Sequence, residues 1–184
     1  YSYDNDDFII YDKSQGLNNE IVMSLAKDSK GQMYWGTNGG GLLSFANNKI
    51  KHEIIYSKES AKLRINSLLS DKNDNLWVGT DNLGLWVKMA GKSVYSPVSV
   101  NDHLVFFHLA ERYSNKIWAA TNYGCFYLDR DSLVRISGIN HFCSSVLVRG
   151  PDSVFVGSLN GIQLIKNKKL DSNFKLSNLE GKNV

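Results

Sequence analysis

Apolar residues fall in short, partly alternating runs along this chain, and clusters of turn-forming residues separate one run from the next. The clearest stretch begins at Arg64. Arg64 to Ser70 is apolar and half-alternating, and Asp71-Lys72-Asn73-Asp74-Asn75 supplies a turn. Leu76-Trp77-Val78-Gly79-Thr80 follows, rich in the aromatic and β-branched types that suit a strand. Asp81 to Gly84 turns the chain, Leu85-Trp86-Val87-Lys88 returns, and Ala90-Gly91-Lys92 turns again into Ser93-Val94-Tyr95. The pattern predicts four short antiparallel strands, first to fourth in chain order. No stripe with a 3.6-residue period competes with that reading.

The same plan recurs along the chain. The second strand and its turn read MYWGTNGGGL from Met33, LWVGTDNLGL from Leu76, IWAATNYGCF from Ile117 and VFVGSLNGIQ from Val154. Their small anchor residues, Gly36, Gly79, Ala120 and Gly157, are spaced by 43, 41 and 37 residues. Four strands in a period near forty predict an all-β fold, a β-propeller made of four-stranded antiparallel blades. The blades divide as 13–57, 58–100, 101–137 and 138–177, with 1–12 read as the outer strand of a preceding blade and 178–184 as the start of a further repeat. About four blades are expected, as a fragment of a larger propeller. No blade buries its apolar face alone, so stability belongs to the array.

Each column of the repeated phrase has a structural role. Tyr34, Trp77, Trp118 and Phe155 offer large apolar area between stacked sheets. Gly36, Gly79, Ala120 and Gly157 let neighbouring sheets approach closely. Thr37, Thr80, Thr121 and Ser158 can bond the adjacent turn, where Gly41, Gly84, Gly124 and Gly161 suit positive φ.

Composition narrows the function classes. A 42% hydrophobic and 21% charged content is ordinary for a globular protein, and a net charge of +3, scattered along the chain, argues against direct nucleic-acid contact. Lys166, Lys168 and Lys169 read as a solvated turn. No apolar run is long enough to span a bilayer, and no leader pattern is visible. Cys125 and Cys143 lack metal-ligand spacing and sit in apolar strand contexts, which favours buried free thiols over a disulfide. Gly39-Gly40-Gly41 is not followed by a helix pattern, so it does not cradle phosphate. His52, His103, His108 and His141 share no column, and Ser144-Ser145 lacks a nucleophile elbow. No catalytic residue, metal or cofactor is expected.

A binding face is another matter. In a four-stranded meander the fourth-to-first and second-to-third connections share one end of the blade. Asn18, Asn19, Asn66, His103 and His141 are assigned to the first set, and Asn38, Asp81, Asn82, Asn122, Tyr123 and Asn160 to the second. Such a face, rich in amides with some aromatics, suits hydrogen bonding and stacking on a sugar. Asn and Asp also favour turns for backbone reasons.

The run Gly16-Leu17-Asn18-Asn19-Glu20-Ile21-Val22, then Leu25, Asp28-Ser29-Lys30-Gly31, Tyr34-Trp35-Gly36-Thr37 and Gly40-Gly41-Leu42, resembles the two-component regulator propeller repeat. The likeness covers nearly the whole chain. It departs from the pattern at Ala119-Ala120, Phe155 and Ser158. The resemblance implies the periplasmic sensor region of a Bacteroides-type hybrid two-component histidine kinase that responds to oligosaccharides and relays a signal to transcriptional control. It implies as partners an oligosaccharide ligand, the remaining blades and downstream domains of a parent chain, and a possible homodimer. Two other readings stay open: a non-catalytic protein-interaction or dimerisation scaffold, and a propeller enzyme acting on glycans.

Overall fold

Turn clusters reverse the chain between strands, and the strands assemble into successive antiparallel meanders. The computed structural model describes residues 2–4, 7–99, 103–113 and 116–174. Asp102, the last residues of the fourth expected unit and the repeat start expected over 178–184 lie outside the described residues.

A short hairpin, β1 (Ser2–Asp4) with β2 (Asp7–Ile9), opens the described chain. The first blade comprises β3 (Val22–Lys27), β4 (Met33–Thr37), β5 (Leu42–Ala46) and β6 (Lys49–Glu53). The second comprises β7 (Ile65–Ser70), β8 (Leu76–Thr80), β9 (Leu85–Lys88) and β10 (Tyr95–Ser99). In the third are β11 (Phe106–Glu111), β12 (Ile117–Thr121), β13 (Gly124–Asp129) and β14 (Ser132–Arg135). In the fourth are β15 (Cys143–Gly150), β16 (Ser153–Ser158), β17 (Gly161–Lys166) and β18 (Lys169–Leu170). Within each blade every strand pairs with its sequence neighbour. The first strands of successive blades pack on one another, β3 on β7, β7 on β11 and β11 on β15. The result is an open arc of β-propeller blades.

Two elements differ from the sequence reading. The segment 1–12, expected as the outer strand of a preceding blade, instead contains the hairpin of β1 and β2, which among the described residues ends at Ile9. Tyr11 instead turns onto the first blade, edge-on to Trp35 and Phe45 at 5.4 and 5.0 Å between ring centroids. The fourth strand of the second blade starts at Tyr95 rather than Ser93. A tight turn closes over Met89 to Lys92, with Lys92 N–H donating to the Met89 carbonyl, and strand pairing resumes only where Tyr95 meets Lys88. Pro97 is tolerated in β10 because an outermost strand has a free side.

Side-chain alternation gives every blade a forward face toward its successor and a rear face toward its predecessor. Tyr34 and Leu42 look forward and meet Ile65, Leu68, Val78 and Trp86 of the second blade. Trp77 and Leu85 look forward onto Phe106, Leu109 and Ala119. Trp118, Cys125 and Tyr127 do the same onto Cys143, Val146 and Val156. Each large side chain so buried stabilises the stack by roughly 1.5–3 kcal/mol. Cys125 and Cys143 are both free and buried, and burial pushes the Cys143 thiol up to about 11, so it stays protonated.

The repeated phrase holds this stack together as its chemistry suggests. A Cβ on Gly36 would lie 2.7 Å from Ile65 Cγ2, and one on Gly79 would lie 2.6 Å from Phe106 Cβ. Where Ala120 replaces glycine, the facing residue is the smaller Cys143. The hydroxyls of Thr37, Thr80, Thr121 and Ser158 donate to the carbonyls of Gly41, Gly84, Gly124 and Gly161 at 2.8 to 3.0 Å. Asp71 adds a buried brace in the second blade. Its carboxylate accepts from Asn73 N–H, Asn75 N–H, the Asn75 side-chain amide and Trp77 Nε1.

Candidate functional site

The inner strand of every blade begins with the same irregularity. Val22 pairs with Thr37 and Ser24 with Gly36, which leaves Met23 bulged between them. Asn66 is left out between Ile65 and Ser67, Phe107 between Phe106 and His108, and Ser144 between Cys143 and Ser145. A bulge sets two residues against one on the partner strand and re-aims a side chain. Two residues earlier, the carbonyls of Ile21, Arg64, Val105 and Phe142 accept the N–H groups of Asn38, Asp81, Asn122 and Leu159. Each blade therefore presents three equivalent positions at one end of the array: one before the inner strand, one on its bulge, and one on the second-to-third turn.

These positions differ in chemistry from blade to blade. The sets are Ile21, Met23 and Asn38, then Arg64, Asn66 and Asp81, then Val105, Phe107 and Asn122, and finally Phe142, Ser144 and Leu159. An open cavity of about 520 Å³ lies across the first three blades, lined by Met23, Asn38, Arg64, Asn66, Asp81, Val105 and Phe107. Arg64 donates from its guanidinium to Asp81 Oδ2 at 2.9 Å, with half of its side chain still exposed. Asn38 Oδ1 is buried without a hydrogen-bond partner. Phe107 packs on Phe142 at 4.8 Å between centroids. The floor thus combines aromatic and thioether surface with amide groups, one guanidinium and one carboxylate. Polar groups of this kind bind hydroxyl-rich ligands, and the flat ring of Phe107 offers a stacking surface.

The structure distributes the sequence candidates over several places. Asn38, Asn66 and Asp81 line the cavity, and Asn82 lines an adjoining depression that shares Asn38, Arg64 and Asp81 and adds Lys62. Asn66 is not on a connection: it is the bulged residue inside β7. Asn19 and Asn122 are braces. Asn19 donates to the Asn38 carbonyl at 2.6 Å and accepts from Ile21 N–H, whereas Asn122 accepts from Val105 N–H and donates to the His103 carbonyl. Asn18 turns away to His52 Nδ1 at 3.2 Å. Asn160, His141 and Gln163 form a separate polar chain on the fourth blade. Tyr123 and His103 are exposed and outside the cavity lining.

Met23, Arg64, Val105 and Phe107 line the cavity but are not among the sequence candidates. A signal for them does exist. When the four units are aligned on the anchor phrase, the framework columns repeat, while the second residue of the first strand changes character at every unit and the residue before that strand changes between aliphatic, guanidinium and aromatic types. Among the described residues no group of His, Cys, Asp and Glu side chains could hold a metal ion, and no helix is long and apolar enough to cross a membrane.

Comparison with known proteins follows the geometry. A family model described as "Two component regulator propeller" matches residues 60–82, from the turn before β7 into the turn after β8. No curated protein matches the chain. The chain is similar to the extracellular domain of the one-component system BT4673 from B. thetaiotaomicron, with 21% identity and a TM-score of 0.74 over 84% of this chain and 23% of that one. It is also similar to the extracellular domain of the hybrid two-component system BT3049 from B. thetaiotaomicron, with 24% identity and a TM-score of 0.69 over 89% and 23%. The WD40 β-propeller domain of Doa1 superposes with a TM-score of 0.66 at 15% identity over 84% of this chain and 54% of that one. The chain thus spans about a quarter of the length of the two bacterial domains.

Proposed function

We propose that this chain, whose residues 60–82 match the two-component regulator propeller model, works as a ligand-sensing segment of an extracellular two-component sensor. Its ligand is an oligosaccharide, received in the cavity over the first three blades. The compartment is periplasmic, and the relay of the signal to a kinase and to transcription belongs to a longer parent protein. The observation that carries the reading is the bulge column. All four blades share one backbone device for aiming a side chain, and the residues it aims, Met23, Asn66, Phe107 and Ser144, vary while the framework around them repeats. A purely structural column would keep its residue type, as the Thr/Ser column does.

The chemistry of the cavity favours recognition over turnover. Glycoside hydrolysis needs two carboxyl groups flanking the scissile bond. The one carboxylate lining the cavity, Asp81, is held by Arg64.

Titration calorimetry against an oligosaccharide panel tests the assignment. Asn66→Ala, Asp81→Asn and Phe107→Ala should each weaken binding tenfold or more, about 1.4 kcal/mol or above, with an unchanged circular-dichroism spectrum. Wild-type affinity in all three variants would sink the site. Release of a shortened sugar during the titration would favour the enzyme reading instead.

A further inference from the structure

The first-to-second and third-to-fourth turns share the end of the array opposite the cavity, and there they join neighbouring blades. Between the first and second blades, the Asp74 carboxylate accepts from Ser29 N–H at 2.8 Å and from the Ser29 hydroxyl. Between the second and third, Glu111 Oε2 accepts from Lys72 N–H at 3.0 Å. Between the third and fourth, two ammonium groups meet instead. Lys116 precedes β12 and Lys168 stands in the β17–β18 turn, and their Nζ atoms lie 5.3 and 5.0 Å from the centroid of the same Tyr127 ring. Among the described residues neither has a carboxylate oxygen within 4.0 Å. Charges of one sign so placed repel. Lys168 is the main cause that holds the Lys116 pKa below its usual value, and the carboxylates of Asp129 and Asp152 offset it only in part.

The backbone holds Lys168 in this position at a cost. Asn167 and Lys168 carry φ of 49° and 62°, and consecutive left-handed residues make a tight hairpin that favours Asn followed by Gly. The first blade meets the same demand with Asn47 and Asn48, at 50° and 57°. Lysine has neither glycine's freedom nor asparagine's local hydrogen bonding, so strain is accepted where an ammonium is delivered to the seam. Asn167 N–H fastens the turn by donating to the Asp152 carbonyl at 2.9 Å. The lysine run expected as a solvated turn is thus divided: Lys166 pairs with Asp171 at 2.9 Å, and Lys168 covers Tyr127.

We propose that the seam between the third and fourth blades is a site for a doubly charged oxyanion, a phosphate or sulfate group bridged by the Lys116 and Lys168 ammoniums. Each ammonium is a compact point charge with three donors, and two of them balance one dianion. Hydrogen bonds between charged partners are the strong kind, and the Tyr127 ring beneath both ammoniums sets their spacing. The anion supplies at this seam the bridging acceptor that Asp74 and Glu111 supply at the other two, and so ties the fourth blade to the third. The site is at the far end of the blades from the saccharide cavity and is independent of it.

Calorimetric titration with inorganic phosphate, inorganic sulfate and glycerol phosphate, each at constant ionic strength over chloride, tests the site. Wild type should bind saturably. Lys116→Gln and Lys168→Gln should each weaken binding roughly tenfold or more, with unchanged circular-dichroism spectra, and Lys169→Gln on the same turn should bind as wild type. Equal affinity for free and esterified phosphate would support a site that reads the oxyanion alone, and tighter binding of glycerol phosphate would support one for a phosphate ester. Followed by nitrogen NMR, the Lys116 ammonium should titrate below its usual value in chloride and return toward it in phosphate, because a bound anion favours the charged form. No saturable binding of any of the three anions would overturn the proposal, and so would undiminished binding in both the Lys116 and Lys168 variants.

Discussion

Gly79→Ala probes the spacing between blades with the smallest possible change. The new methyl would sit 2.6 Å from Phe106 Cβ, about 1 Å inside ordinary carbon–carbon contact. Phe106 is fully buried and its Cβ is tied to the backbone, so relief needs the third blade to shift rather than a rotamer to turn. Overpacking of this kind costs about 1–3 kcal/mol. The substitution also removes the entropic penalty of glycine in a strand, which returns roughly 0.5–1 kcal/mol. The net loss should lie between about 0 and 2.5 kcal/mol, centred near 1 kcal/mol. Gly36→Ala should behave alike, since its Cβ would lie 2.8 Å from the Ile65 carbonyl oxygen. Gly157→Ala should not. Its nearest neighbour is the hydroxyl of Ser145, which can rotate away, and among the described residues only serines of its own blade come within 4 Å of the added methyl. Urea unfolding of dilute protein, followed by tryptophan fluorescence, reads all three. Equal losses at Gly157 and Gly79 would refute the claim that blade approach, rather than strand propensity, selects the small residue.

Other outcomes follow from the same contacts. Asp71→Ala should cost about 2–4 kcal/mol in the same assay, because the change strips Trp77 Nε1 and the turn amides of their acceptor. A loss under 1 kcal/mol would show that water replaces the carboxylate. His108 Nδ1 accepts from Val146 N–H across the third and fourth blades, and burial holds the imidazole pKa below its usual value. A base with a depressed folded pKa lends stability that is present above the unfolded value near 6.5 and is lost as pH falls through the folded one. Wild type should therefore lose more stability than His108→Gln between pH 7 and pH 5, and parallel pH profiles would contradict the link.

Legibility differed sharply between framework and site. The framework was readable because each of its jobs accepts few residue types. A hydroxyl must reach the turn carbonyl, as Thr37 and Thr80 do, and a small residue must admit Ile65 or Phe106. The site was only partly readable. Asn38 and Asp81 stand directly after the hydroxyl column and are easy to place on a turn. Asn66 reads as a connection residue because nothing in its neighbours announces a bulge, which is a mismatch between two strands rather than a property of one. Arg64 and Phe107 look like strand residues, and their shared cavity exists only across three blades. Asn19 and Asn122 show the opposite error, amides that resemble ligand contacts but hold backbone groups instead.

Taken alone, the sequence determined the strand count per unit and the residues that seat one blade on another, because periodicity and local chemistry are written along the chain. The tertiary structure decided which variable positions converge, which amides are braces, and which apolar faces remain uncovered. Those properties depend on the register between strands and on the rotation between blades, so they belong to pairs of elements far apart in the sequence. Leu25 and Leu68 are both apolar positions of the same repeat, and only the presence of a blade in front of one of them separates an exposed side chain from a core residue.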